Sequence, residues 1–355
     1  MESKKQGKLK QWFGPSGLIA LAVFVIGRLL LEPVRPVPQF DGDGMDPFGA
    51  VETFRLRKMP GQIETAVLGS SVTIWGIMPE VMAEELHASA ETVRALGVAG
   101  GTPFEMWSMV RRNEEKFASL KLAILEVNPM VIDEDMEGDP RVEYDLCQRA
   151  SLSERLMVGD PYERAVLVSE WLLPLQSVRR SLNSLFLNLA DVERGAAICP
   201  KPDRRAYPLG GWKIKDMTAE DNMAKSVLKP AVAARRLIGQ WRLSQIQDRS
   251  YRSLIAWLKS RNVAIVLHQM PVHPEVVDEM RKNKSHLESY AAYTDYVQSL
   301  GIPPEAVFQH LEISECGVPR KGMRDHTHFN EIGALAYSTH LAKKIREWRD
   351  GSPKS

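Results

Sequence analysis

The chain has 355 residues, 44% of them hydrophobic and 26% charged, with a net charge of +1. That length supports one large core, and the near-zero charge excludes the broad basic field that nucleic-acid binding draws on. Cys147, Cys199 and Cys316 are scattered, with no CxxC or Cys/His cluster. This argues against a disulfide framework and a structural zinc site, leaving one bridge at most, and no metal or cofactor is expected.

The first informative segment is the N-terminus. Lys4, Lys5, Lys8 and Lys10, in a tail over 1–11, precede an apolar stretch from Trp12 to Leu31 whose only charge is Arg28. About 20 apolar residues cross a bilayer as a helix, so 12–31 predicts one transmembrane anchor. Trp12 and Phe13 suit the near interface, and Arg28 snorkels to the far one. The lysines stay cytoplasmic by the positive-inside tendency, which puts the rest of the chain outside, in the periplasm or at the cell surface. A cleaved signal peptide or a buried core helix has a similar composition, but no small-x-small cleavage pattern follows the apolar run. Residues 32–60 hold Pro33, Pro36, Pro38, Pro47 and Pro60 with Gly42 and Gly44 and predict a stiff, extended linker.

A domain over 61–350 follows, with no internal repeat. Gln62–Leu68 predicts a short buried strand ending in Gly69-Ser70-Ser71, and Pro79–Ala88 a helix with Pro in its first turn. Thr92–Val98 is a second strand, closed by Gly100-Gly101. Thr102-Pro103-Phe104-Glu105 is a capping box that opens a helix to about Phe117. Leu120–Val127 is a third strand, closed by Asn128-Pro129; Asn262–Met270 is a fourth and Ala306–Leu311 a short fifth. A last amphipathic helix runs from Asn330 to about Trp348, with Ile332, Leu335, Ala336, Ile345 and Trp348 as its buried stripe. Short apolar strands alternating with helices predict an α/β fold with a parallel sheet covered on both faces. Residues 131–260 interrupt the rhythm with helical patterns (Glu163–Leu173, Ser177–Leu189, Pro230–Lys259) and a Gly/Pro-rich stretch from Cys199 to Trp212. They predict a helical insertion, either a lid or partner surface or a purely structural subdomain.

In open parallel sheets ligands bind beyond the carboxyl ends of the strands. Ser70 and Ser71 follow strand one, Gly100 strand two and Asn128 strand three, while Asp325-His326-Thr327-His328 precedes the last helix. A serine hydroxyl is a poor nucleophile until a base takes its proton. His328 suits that task, and Asp325 suits holding its tautomer. The Ser71 N–H, the Gly100 N–H and the Asn128 amide would stabilise a tetrahedral oxyanion. Each piece has a plain alternative: a turn, a strand stop, a structural histidine. Ser70 and His326 are the competing nucleophile and base. Other readings stay open. His268 and His273 mark a second polar or metal site, or line a pocket. Trp75 is a sugar-stacking wall or a core residue. Arg235, Arg236, Arg242, Arg249 and Arg252 lie on one helical pattern, as an anion-binding stripe or a solvated face.

The order Gly69-x-Ser71, Gly100, Asn128 and Asp325-x-x-His328 resembles the SGNH (GDSL-like) hydrolase superfamily, whose four blocks carry Ser, Gly, Asn and His. The tail His328-Phe329-Asn330-Glu331-Ile332-Gly333 and the N-terminal anchor are similar to those of membrane-associated members that O-acetylate alginate and cellulose or serve teichoic-acid D-alanylation. Three positions depart from the common blocks. Ser70 stands where the common form has Asp, Glu126 where it has Gly, and Ala95 where many relatives have Asn. The resemblance covers about half the chain. It implies a three-layer α/β/α, flavodoxin-like sandwich with catalytic Ser71, His328 and Asp325 and oxyanion residues Gly100 and Asn128. It further implies acyl transfer to an exported polysaccharide, with a membrane-bound O-acyltransferase as partner. An esterase or lipase using the same residues, or a non-catalytic polymer-binding component of an export complex, are the alternatives.

Overall fold

The computed structural model describes residues 26–27, 56, 61–98, 100–138, 146, 150–159, 161–172 and 229–351. The predicted tail (1–11), membrane span (12–31, apart from Ile26 and Gly27) and linker (32–60, apart from Leu56) lie outside them, as do the pattern Ser177–Leu189 and the stretch from Cys199 to Trp212. Among the described residues no helix is long and apolar enough to cross a membrane. The chain divides into two compact units, Met1–Pro47 with Glu143–Ile198 and Phe48–Val142 with Cys199–Ser355.

The larger unit is an α/β domain with a five-stranded, all-parallel sheet. In chain order its elements are β1 (Thr65–Gly69), α1 (Ser71–Gly76), α2 (Pro79–Glu85), β2 (Val93–Gly97), α3 (Pro103–Arg112) and β3 (Leu122–Glu126). The smaller unit contributes α4 (Leu152–Arg155) and α5 (Pro161–Leu172). The sheet unit resumes with α6 (Pro230–Ile238), α7 (Gln245–Ser260), β4 (Ala264–Gln269), α8 (Pro274–Lys282), α9 (Lys284–Ser299), β5 (Val307–Gln309) and α10 (Glu331–Gly351). Ten α-helices are thus found among the described residues. The strand order is β2-β1-β3-β4-β5. Consecutive connections reverse direction at the β1/β3 boundary, the position at which loops of such sheets diverge beyond the carboxyl ends of the strands.

β1 and β3 are buried at every position. Val67, Leu68, Ile124, Leu125, Val266 and Leu267 have no exposed surface, each contributing about 1.5–3 kcal/mol relative to exposure. Helices cover this core in packed groups: α10 against α1 and α2, α3 against α7, and α6 against α8 and α9. Trp107 of α3 meets Trp257 of α7 edge to face, with centroids 6.5 Å apart. In the smaller unit, buried Arg155 donates to the carbonyls of Ala150 (2.9 Å) and Leu167 (2.7 Å), tying α4 to α5.

Several expectations change. Within the span 131–260, α6 and α7 belong to the sheet unit, and α7 packs as the crossover helix before β4. Gly239 breaks the pattern over 230–259, its N–H turning back to the Arg235 carbonyl. The five arginines therefore form no single stripe. Arg242, between the helices, pairs with Glu134 and Asp135, and Arg252 pairs with Asp248. The helix from Pro103 stops at Arg112 and tightens into a 3-10 turn over Glu114–Phe117. The stripe of α10 is rotated. Ile332 and Leu335 are 44% and 50% exposed, and the buried face is Gly333, Ala334, Tyr337, Ser338, Leu341, Ala342 and Ile345. Ala336 and Trp348 pack on its margin. The helix phase is set by close approach at Gly333, where a Cβ would overlap the Gly322 carbonyl oxygen. Hydropathy carries no such information.

His268, in β4, has no exposed surface and lies 3.2 Å from the Tyr337 hydroxyl through Nδ1. Burial, with His310 nearby, lowers its pKa to about 3. The native state holds it neutral while the unfolded chain protonates near 6.5. Its contribution is therefore complete above pH 6.5 and is lost progressively as pH falls toward 3. Between pH 6.5 and 5 the loss is about 2 kcal/mol at 1.36 kcal/mol per unit. Urea unfolding at the two pH values is expected to show a drop of that order, and His268→Phe to flatten it. An equal drop in the variant would assign the acid sensitivity elsewhere.

Candidate active site

The site is built where β1 ends. Ser70, in extended conformation, is the N-cap of α1, and its hydroxyl accepts from the Val72 N–H at 3.2 Å. The strand-to-helix turn lifts Ser71 onto the first helical position, half-buried, at the carboxyl edge of the sheet.

Opposite it stands a hairpin that precedes α10. Met323 bridges antiparallel to Phe329, and the Arg324 N–H donates to the His328 carbonyl at 2.8 Å. Asp325 Oδ1 accepts from the backbone N–H groups of Thr327 and His328, both at 2.9 Å. Phe329 is fully buried. Asn330 Oδ1 accepts from the Ile332 (3.0 Å) and Gly333 (3.2 Å) N–H groups, and its amide donates to the Lys321 carbonyl at 2.6 Å. Gly333 admits the Gly322 backbone. The His273 N–H donates to the His326 carbonyl at 2.9 Å, pinning the hairpin to the segment after β4.

These two pieces meet in one hydrogen-bond line. Ser71 Oγ lies 2.9 Å from His328 Nε2, and His328 Nδ1 lies 2.9 Å from both Asp325 carboxylate oxygens. A carboxylate only accepts, so Nδ1 carries a proton, and in the neutral imidazole Nε2 then faces Ser71 as an acceptor. Burial pushes the Asp325 pKa up. The hydrogen bond from His328, its charge and the two backbone N–H donors outweigh that and hold it down to about 2. Asp325 therefore stays ionised at neutral pH and orients the imidazole. His326 is buried, with its ring edge-to-face to that of His273 at 6.2 Å. Ser70 is occupied elsewhere, donating to Glu126 Oε1 at 2.6 Å.

The amide groups of the turn are nearly all taken. Those of Ser70 and Thr73 donate to Glu126 Oε2 (2.8 and 3.1 Å), that of Val72 to Ser70 Oγ, and that of Ile74 to the Ser70 carbonyl. Among the described residues the Ser71 N–H has no acceptor, which leaves it available to a developing oxyanion. The loop after β2 packs on the same turn, with the Val98 N–H donating to the Gly69 carbonyl at 2.9 Å. Gly100 in that loop has φ +71°, a conformation natural to glycine, and its N–H also has no acceptor among the described residues. Asn128 is buried; its oxygen accepts from the Met130 N–H at 3.1 Å and its amide reaches Glu126 Oε1 at 3.4 Å.

Sequence reasoning overlooked Glu126 as a participant. It has no exposed surface and accepts from Ser70, Thr73 and Asn128. The available signal was a lone ionisable residue ending an otherwise apolar strand beside the third block. Arg324 was also missed. Its guanidinium stacks 3.8 Å from the centroid of half-buried Trp75. Trp75 lies one helical turn after Ser71, so the pair forms a second rung between α1 and the hairpin. Among the described residues no group of three or more His, Cys, Asp or Glu side chains that could hold an ion includes His268 or His273. Burial pushes the Cys316 thiol up to about 12, which removes it as a competing nucleophile. No family model matches the chain, and no curated protein matches it.

Proposed function

We propose that this domain is a serine acyltransferase of the SGNH type, with a three-layer α/β/α, flavodoxin-like architecture, tethered by its N-terminal apolar segment outside the cytoplasm. The observation that carries the reading is the line Ser71 Oγ–His328–Asp325 with its 2.9 Å contacts. The strand order β2-β1-β3-β4-β5 supports the architecture, being the flavodoxin-like order with ligands bound at its β1/β3 crevice.

Ser71 Oγ attacks the acyl carbonyl carbon while His328 Nε2 takes its proton. The oxyanion is met by the Ser71 and Gly100 N–H groups and the Asn128 amide. His328 returns the proton to the departing alcohol, leaving an acyl ester on Ser71. An acceptor hydroxyl, deprotonated by His328, then attacks that ester and frees Ser71. The favoured acceptor is a sugar hydroxyl of an exported or cell-surface polysaccharide, with acyl groups supplied by a membrane-bound O-acyltransferase. With water as acceptor the same steps make an esterase.

The test is a chromogenic acetate ester given to the chain from about residue 40, with mass spectrometry of the Ser71 peptide. A +acetyl adduct on Ser71 and transfer to an added oligosaccharide are expected. Hydrolysis with no transfer would make the chain an esterase. A folded chain with neither adduct nor turnover would favour a non-catalytic polymer-binding role.

A further inference from the structure

We infer that Glu126 is the positioning residue of the nucleophile turn, supplying from the end of β3 the carboxylate that orders Ser71 and its oxyanion donors. The inference rests on the acyl-serine reading above.

Five donors converge on this one buried group. Oε2 accepts from the Ser70 N–H (2.8 Å), the Thr73 N–H (3.1 Å) and the Thr73 hydroxyl (2.6 Å). Oε1 accepts from the Ser70 hydroxyl (2.6 Å) and, more distantly, the Asn128 amide (3.4 Å). The turn is also shaped to admit it, because a Cβ on Gly69 would overlap Thr73 Oγ1 and Glu126 Oε2. The Ser70 hydroxyl passes the effect on, accepting from the Val72 N–H while donating to Glu126.

The geometry has a selective result. Among the described residues every amide from Ser70 to Ile74 is given an acceptor except that of Ser71, the one beside the attacking oxygen. Glu126 thereby fixes the direction of the free N–H and contacts the side-chain amide of Asn128, the proposed oxyanion donor just after β3. It also accounts for two departures from the common blocks together. The turn has Ser70 where an Asp is usual and the strand has Glu126 where a Gly is usual, and the two side chains touch.

That contact gives the test. In Ser70→Asp two carboxylates crowd one position, and in Glu126→Ala none remains. Each single change is expected to lower kcat by about 10²-fold, comparable with loss of one oxyanion donor. Ser70→Asp/Glu126→Ala, with one carboxylate again, is expected to recover about tenfold or more over either single, a coupling that independent sites do not show. The readouts are kcat and KM on the acetate ester and the rate of Ser71 labelling by a fluorophosphonate, per folded molecule by circular dichroism. A merely structural role would lower the melting temperature and leave kcat and labelling per folded molecule unchanged. If the Glu126 variants do not fold, Thr73→Val removes one donor at constant shape, and a kcat loss of about tenfold with KM held within about threefold is expected. Folded Glu126→Ala or Thr73→Val within about threefold of the parent, on the same criterion, would overturn the inference, as would a double variant no better than the worse single. In those cases an inert Ser71→Ala would leave the acyl-serine reading standing. A parent chain that neither turns over ester nor labels at Ser71 would sink that reading, and the inference with it.

Discussion

Ser71→Ala and His328→Ala are each expected to lower acyl release by about 10⁴-fold or more, and the double variant to be no worse than the singles, because nucleophile and base act as one unit. The reason is the single line of contacts from Ser71 Oγ through His328 to Asp325. Without Oγ there is nothing to acylate, and without the imidazole the hydroxyl keeps its proton. Asp325→Asn is expected to be about as damaging, near 10⁴-fold, through the tautomer. An amide donor beside Nδ1 favours the proton on Nε2, the atom that must accept from Ser71. All three variants are expected to fold, since Ser71, Asp325 and His328 are half-buried and outside the apolar core. Initial rates on the acetate ester, with circular dichroism for folding, measure this. Additive losses in the double variant, or full activity in Ser71→Ala, would show that the three do not form a catalytic unit.

Gly333→Ala is expected to be strongly disruptive to the sheet unit. Its Cβ would overlap the Gly322 carbonyl oxygen and come within 3.0 Å of the Phe329 Cβ. Neither neighbour is the end of a flexible chain. The displaced carbonyl is the acceptor of the Asn330 N–H at 2.9 Å, so the clash also opens the cap of α10 and shifts the hairpin that holds His328. A cost of about 3 kcal/mol follows from overpacking backbone against backbone. Activity is expected to fall further than the folded fraction does. Leu335→Ala, on the exposed face of the same helix, is expected to stay within about 0.5 kcal/mol. Thermal unfolding and rates on both variants check this; a Gly333→Ala chain as stable and active as the parent would mean the contact is slack.

Five strands were legible in the residue order, each within three residues of its observed ends; the signal is strongest for β1 and β3, which are buried at every position and so run almost continuously apolar. The punctuation was legible for the same kind of reason: Gly-Ser-Ser, Gly-Gly and Asn-Pro end strands since the chain must turn there. α1 was not, since Ser71–Gly76 is too short to show a helical period. Nor were α8 and α9, which follow the proline-bounded stretch 271–274. The rotated face of α10 was out of reach because one backbone approach at Gly333 overrides its apolar spacing.

What the sequence by itself determined is the order of the chemistry: serine after the first strand, asparagine after the third, Asp-x-x-His before the last helix. Local backbone rules put such residues at strand ends and caps whatever the rest of the chain does. Only the tertiary structure decided which members of each pair meet. Ser71 rather than Ser70 faces an imidazole, and His328 rather than His326 supplies it. Residues 257 positions apart are brought within a hydrogen bond by strand pairing and helix packing, and those are summed over the whole core. The buried carboxylate of Glu126 belongs to the same class: a polar group out of water must find partners, but where they come from is known only once β1 and β3 lie side by side.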